Sequence, residues 1–358
     1  MIAKLMIETL KNHFTSRVEW SVVEQYPEML TTWLAALAEV ESLRDMCLKA
    51  SASSLGDSPL SNDLRAFAHD FLPVSEPDRV VRDTQLIAEP DPDPAADVAD
   101  ARVGRSIFYV GAELAWLLTV SRCLGLIPYQ SLRKLRTSKI RVLGASVAAS
   151  TVDLLASLGA EDIVCADAGL IDPTNIPRLP MADLWNVGEP KSLELVRRLR
   201  RRHPYGSFRA VAENLTPATV DAFLADADVI IEVIDNIPMK SYVQTVALGK
   251  KPGTPLIFIA DLANQPVVKV VRADSSGHVE TPFGRVWTHE EREILEGVQT
   301  DPRLIPKAAY LMVKESLPPE QELQFSFNVQ GIMPFWSQTP IASRMSAAQA
   351  AMAVLKLD

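Results

Sequence analysis

The stretch from Lys139 to Asp167, KIRVLGASVAASTVDLLASLGAEDIVCAD, restricts the folds open to this chain more than any other. Lys139 to Gly144 is short, apolar and β-branched like a buried strand, and Val147 to Leu158 then carries apolar residues at helical spacing. A second apolar run, Ile163 to Ala166, ends on Asp167. Strand, tight turn, helix, strand and acidic end is the order in which a Rossmann unit meets a nucleotide. The turn and helix N-terminus offer N–H groups to phosphates, and the carboxylate accepts ribose hydroxyls. In the turn itself, Gly144-Ala145-Ser146-Val147-Ala148-Ala149, only the first glycine of the usual fingerprint is kept. Ser146 stands where a bare backbone lets a pyrophosphate approach most closely, while Ala149 is small enough for tight helix-to-strand packing. Taken alone, the turn fits a βαβ unit without ligand equally well.

A chain of 358 residues has room for roughly two domains. Its 47% apolar and 23% charged residues suit a globular protein with a sizeable core. No apolar run nears the roughly 18 residues that span a membrane, and the N-terminus lacks a signal peptide's apolar core and cleavage site. A cytoplasmic protein with no membrane partner is expected. The three cysteines, Cys47, Cys123 and Cys165, are too scattered for a disulfide framework or a CxxC zinc pair, and Cys165 reads as core filler. A net charge of -9 argues against a general nucleic-acid binder. The basic run Arg197 to Arg202 falls at the end of a predicted helix, where cations favour the dipole.

Residues 1–105 read as a helical N-terminal region. After Pro27, Leu30, Trp33, Leu34, Leu37, Val40, Leu43 and Cys47 recur every three or four positions, which predicts a helix with one buried face. His13 and His69 are isolated and read as packing or surface residues. From about 76 to 100 the chain turns acidic and proline-rich (EPDPDPAADVAD), the composition of an exposed linker. Residues 106–358 read as the nucleotide-binding domain, opening with a helical stretch over 106–124. After Asp167 the pattern predicts helix 189–202, strand 207–214, helix 216–225, strand 228–234, helix 237–250 and strand 255–262. Antiparallel strands are expected at 265–273 and 278–283, 284–325 is polar and unassigned, and 340–357 is a closing helix. The fold class is therefore α/β: a Rossmann-like, mostly parallel sheet with C-terminal antiparallel strands, preceded by a helical region.

Polar and charged groups gather at the predicted strand ends, where this fold binds ligands. Asn175 and Arg178 lie in the proline-rich segment DAGLIDPTNIPRLP, and an arginine there can fork onto phosphate oxygens. Pro190 suits a helix's first turn, so Lys191 stands near a helix start that favours anions. The strand Val229 to Ile234 ends in Asp235-Asn236, and an aspartate at that edge can hold Mg²⁺ against phosphates. Together these features resemble the E1-like superfamily, the ThiF, MoeB and HesA proteins and the adenylation domains of ubiquitin-activating enzymes, over about 119 to 358. Its Gly-rich turn is matched by Gly144 to Ala149, its strand-ending aspartate by Asp167, and its S-N-x-x-R-Q segment by Thr174-Asn175-Ile176-Pro177-Arg178. Its G-x-x-K segment is matched by Gly188 to Lys191 and its D-N pair by Asp235-Asn236. The C-terminal QGIMPFWSQTPIASRMSAAQAAMAVLKL resembles the family's closing helix. Ser146 and Val147 replace two glycines, Gly169 a second acidic residue, and Leu179 the glutamine after the arginine.

The resemblance implies ATP- and Mg²⁺-dependent adenylation of a carboxylate. Its substrate class is a peptide or ubiquitin-like protein C-terminus, or a natural-product precursor. Asp235 is implied to hold Mg²⁺, Arg178 and Lys191 the phosphates, and Asp167 the ribose. Gly144, Ser146, Val147, Thr174, Asn175 and Asn236 complete the nucleotide site. Arg122 is similarly placed to a family arginine that crosses into the partner subunit's ATP site, so a homodimer is implied. No cysteine follows Cys165, so neither the family's thioester cysteine nor its zinc pairs have a counterpart and no zinc is expected. Two other readings stay open: a dimeric scaffold or binding module whose altered turn has lost ATP, and an NAD-binding oxidoreductase. Asp167 suits either nucleotide's ribose, but Asn175, Arg178, Lys191 and Asp235 have no natural task in hydride transfer.

Overall fold

A computed structural model of the chain describes residues 11–12, 28–52, 56, 58–88, 106–262, 265–279, 287–313, 322–323, 326–327, 332 and 338–357. It divides into two compact units, Met1–Lys134 with Arg200–Tyr205, and Leu135–Leu199 with Gly206–Asp358.

In the first unit, α1 (Glu28–Ala52) buries Trp33, Leu37, Val40, Leu43 and Cys47, the face its periodicity predicts. The side chain of Leu30 and all of His13 lie outside the described residues. Helix α2 (Pro59–Val74) starts with Pro59 in its first turn and Ser58 as cap, whose hydroxyl accepts from Ser61 N at 3.1 Å. Its Phe67 and Phe71 stack at 5.3 Å in the core. Two stretches differ from the sequence expectation. Part of the expected linker is α3 (Pro77–Asp83) and β1 (Gln85–Ala88), because Val80 and Val81 give it an apolar face to bury; residues 89–100 lie outside the described set. Residues 106–109, expected as helix, form β2 (Ser106–Tyr109), paired antiparallel with β1, and the helix proper is α4 (Ala112–Val120). A β-branched and two aromatic residues in Ser-Ile-Phe-Tyr favour that pairing. Helix α5 (Tyr129–Thr137) follows.

The second unit is built on six strands: β3 (Lys139–Leu143), β4 (Asp162–Ala166), β5 (Ser207–Val211), β6 (Val229–Glu232), β7 (Leu256–Leu262) and β8 (Gln265–Val271). Their order is β5-β4-β3-β6-β7-β8, parallel throughout except for the antiparallel β7–β8 pair. One face carries α6 (Ala148–Ser157), α7 (Lys191–Arg202) and α12 (Pro340–Leu355) over Ile140, Val142, Ile163, Ile231 and Ile257. The other face carries α8 (Pro217–Leu224) and α9 (Ile237–Tyr242), with the π-turn Val243–Ala247 that continues α9, over Leu143, Ile230, Leu256 and Phe258. The unassigned segment contains α10 (His289–Gly297) and α11 (Ile305–Val313), which form a small core of their own with Trp287. Of the strand expected at 278–283, only the start is described, where Val279 bridges to Ala273. Connections leave β3 and β6 towards opposite ends of the sheet, so the crevice between their C-terminal ends is the topological switch point.

Candidate functional site

At that switch point Gly144 adopts φ +100, and a Cβ there would meet Val233 Cγ2 at 2.9 Å. The residue that follows β6 thus presses on the turn, and only glycine fits. Val147 precedes α6 without a capping side chain, so apart from Ala149 N, which donates to Ser146 O at 3.1 Å, the helix start is uncapped and favours an anion. Ser146 is buried in the turn. Asp167 braces the same turn: its Oδ2 accepts from Ala145 N and its Oδ1 from Gly169 N, both at 2.6 Å. Each carboxylate oxygen has a further lone pair for a ribose hydroxyl. A Cβ on Gly169 would lie 2.8 Å from Asp167 Oδ1 and 3.3 Å from Lys191 Nζ. The expected acidic position is therefore closed by the very carboxylate and ammonium it would have joined.

The segment after β4 returns to the crevice. Leu170 bridges Pro190, Ile171 N donates to Glu189 O, and Lys191 N donates to Gly169 O at 2.9 Å, which fixes the start of α7 beside Asp167. Lys191 Nζ makes no hydrogen bond or ion pair with a described residue and stands close enough to Asp172 and Asp235 to act on both electrostatically. Arg178 donates from Nη1 to Thr174 O at 2.8 Å, while its buried Nε has no partner among the described residues. Thr174 and Asn175 are committed locally. Asp172 accepts from Thr174 N, Thr174 Oγ1 and Asn175 Nδ2, in a capping box that holds Asn175 at the bottom of the loop. The Thr174 hydroxyl, more than any other group, holds the Asp172 carboxyl below its ordinary range.

At the end of β6 the Asp235 side chain is exposed at the crevice mouth, and surrounding protein mass raises its pKa. Lys240, Lys191 and Arg178 pull it back down, and Asp167 pushes it up. These interactions bring Asp235, Lys191, Arg178 and Asp167 into one field. Asn236 caps α9, its Oδ1 accepting from Met239 N at 2.9 Å. Sequence reasoning missed the support beneath. Glu232 is fully buried; its Oε1 accepts from Lys240 Nζ and Ile234 N, both at 2.7 Å, and its Oε2 from Gln244 Nε2 at 3.0 Å. Lys240 also donates to Ile234 O at 3.3 Å and lies over the Phe258 ring. Both backbone groups of the residue before Asp235 are thereby held. The signal was an acid inside an otherwise apolar strand, with a lysine eight residues on.

Two further groups stand out. Asp261, on β7, is buried at 5% exposure, and burial pushes its pKa to about 6 against the pull of Ser346 and Arg178. In the segment between β4 and α7, Trp185 is 95% exposed yet sits in a tight turn: Asp183 Oδ1 accepts from Trp185 N and Asn186 N, and Asn186 Oδ1 accepts from Asp183 N. Arg122 belongs to the first unit, with its side chain 81% exposed and ion-paired to Glu39 at 2.7 Å. The donor set fits a phosphate chain: an uncapped helix start, an uncommitted ammonium and an orphaned guanidinium nitrogen. One exposed carboxylate at the mouth fits Mg²⁺, which takes one or two protein carboxylates and completes its shell with phosphates and water.

The ThiF family profile matches residues 120–319. The SAMP-activating enzyme E1 of Haloferax volcanii is 26% identical over 125 residues, 35% of this chain and 46% of that protein. Among solved structures, E. coli MccB with ATP is similar at 17% identity, covering 68% of this chain and 62% of that one, with a TM-score of 0.44. The E. coli tRNA N6-threonylcarbamoyladenosine dehydratase TcdA is similar at 18% identity, covering 68% and 94%, with a TM-score of 0.46. The chain spans less than half the length of the curated relatives it matches.

Proposed function

The chain belongs to the ThiF family, and from that premise we propose that it binds ATP at the β3–β6 crevice and adenylates a carboxylate. The observation that carries the reading is the convergence of Asp235, Lys191, Arg178 and Asp167 on an uncapped helix start at the switch point. In the reaction a carboxylate oxygen attacks the α-phosphorus, an O–P bond forms, the bond to the β-phosphate oxygen breaks, and pyrophosphate leaves. Little covalent work falls to the protein; it positions the reactants and neutralises developing charge. Arg178 and Lys191 take the phosphates, Asp167 the ribose, and Asp235 holds Mg²⁺, which supplies charge neutralisation on the phosphate oxygens. With no cysteine after Cys165, and with burial pushing the Cys165 thiol up, the adenylate passes to an external nucleophile or is consumed within the substrate. The substrate class is a peptide or small-protein C-terminus. The SAMP-activating relative, an activating enzyme by its name, supports that class.

Thermal shift with MgATP tests the reading, since ligand bound only by the folded state raises the melting temperature. The wild type is expected to shift, Asp235→Ala to lose the Mg²⁺-dependent part, and Lys191→Ala and Arg178→Ala each to weaken ATP by about 1 to 3 kcal/mol. Ser146→Gly is expected to tighten ATP and leave adenosine unchanged. A shift with NAD⁺ and none with millimolar ATP sinks adenylation. No shift with either, in wild type or Ser146→Gly, leaves a scaffold.

A further inference from the structure

Where α12 crosses the edge strand β8 there is an open groove of about 660 Å³, lined among others by Val270, Arg272, Gln349, Met352, Lys356 and Leu357. We infer that this groove docks an acidic polypeptide segment that carries apolar side chains. Two observations support that occupant. The first is apolar surface without cover among the described residues: Met352 is 49% exposed, and the stripe runs on along α12 through Met345 to Ile341, 59% exposed. These positions, 341, 345 and 352, share one helix face and span about 16 Å at 1.5 Å per residue. That length exceeds a compact small molecule and suits a chain. The second is charge. Among the described residues no carboxylate lines the groove, yet the side chains of Arg272 and Lys356 are exposed there and make no hydrogen bond or ion pair with a described residue. In a chain of net charge -9 this patch is locally positive, which selects an acidic partner.

Fluorescence anisotropy on the full chain tests this, with three labelled peptides of about 14 residues, some four helical turns. The first is Glu/Asp-rich with two leucines seven apart, the second replaces those leucines with alanine, and the third replaces the acids with lysine. The first is expected to bind saturably, and the alanine and lysine versions at least about tenfold more weakly. Arg272→Glu with Lys356→Glu is expected to cost at least about tenfold, and Met352→Gln several-fold, with unchanged circular dichroism. Lys269→Glu, on the opposite face of β8, is expected to leave binding intact. No saturable binding by the first peptide at millimolar concentration overturns the proposal, as does equal binding of the lysine peptide or no loss in the variants. Dissociation of a wild-type oligomer by Met352→Gln, without peptide binding, would reassign the face to self-assembly. The nucleotide site shares no residue with this groove, so the two readings fail separately.

Discussion

Asp261 shows how one side chain can make a fold's stability depend on pH. Its pKa is raised from an ordinary 3.8 to about 6, chiefly by burial. The folded state therefore holds a proton that the unfolded chain releases between those values, and stability falls as pH rises through that window. Above about pH 6 the loss is complete, at most about 3 kcal/mol. Asp261→Asn is accordingly expected to stabilise at pH 7.5 and to do little at pH 3.5, as read by urea unfolding at both. An equal effect at the two values would show that the carboxyl's charge is not what matters. Residues of this kind were hardly legible beforehand. Asp235 and Lys191 stood out because each follows a boundary that the sequence marks, a strand end and a proline at a helix start. Asn175 and Asn236 stood out for the same reason, but the structure engages them as a box member and a cap. Side-chain types at turns suit ligands and caps alike, and only coordinates separate the two. Asp261 and Glu232 sat inside apolar runs, where nothing in the spacing tells a paired or enclosed acid from an exposed one.

The elements themselves were more legible, because parallel strands buried on both faces leave a continuous apolar signature. All strands from β3 to β8 and the helices between them were expected, with ends displaced by a few residues. The exceptions have physical causes. Arg141, 2% exposed in the middle of β3, is neutralised by Asp162 and Asp226 at 2.7–2.9 Å, and no local pattern predicts a buried arginine with two distant acids. Helices α10 and α11 are short and polar outside, and they bury their apolar face on each other, which periodicity over a few turns does not resolve. The π-turn after α9 places Gln244 against Glu232. Its neighbour in that network, Lys240, supplies the prediction at this scale. Lys240→Met leaves Glu232 charged and buried, and is expected to cost about 3–5 kcal/mol by urea unfolding. Lys240→Arg is expected to recover part of it. A cost under about 1 kcal/mol for the methionine would mean that the Lys240–Glu232 pair does not help to hold the fold.

For the molecule as a whole, the expectation is a homodimer in which Arg122 serves a second copy's phosphates. Arg122 is available for that, since its bond to Glu39 is an exposed pair and contributes at most about 1 kcal/mol. Arg122→Ala is thus expected to leave melting temperature and mass by light scattering unchanged and to reduce pyrophosphate exchange. A monomer at micromolar concentration would remove Arg122 from the reaction. The Trp185 turn has an optical consequence. The chain has six tryptophans, and Trp185 holds its indole almost wholly in water on a hydrogen-bonded turn shortly before Pro190 and the start of α7, so its emission is expected to be red-shifted and easily quenched by iodide.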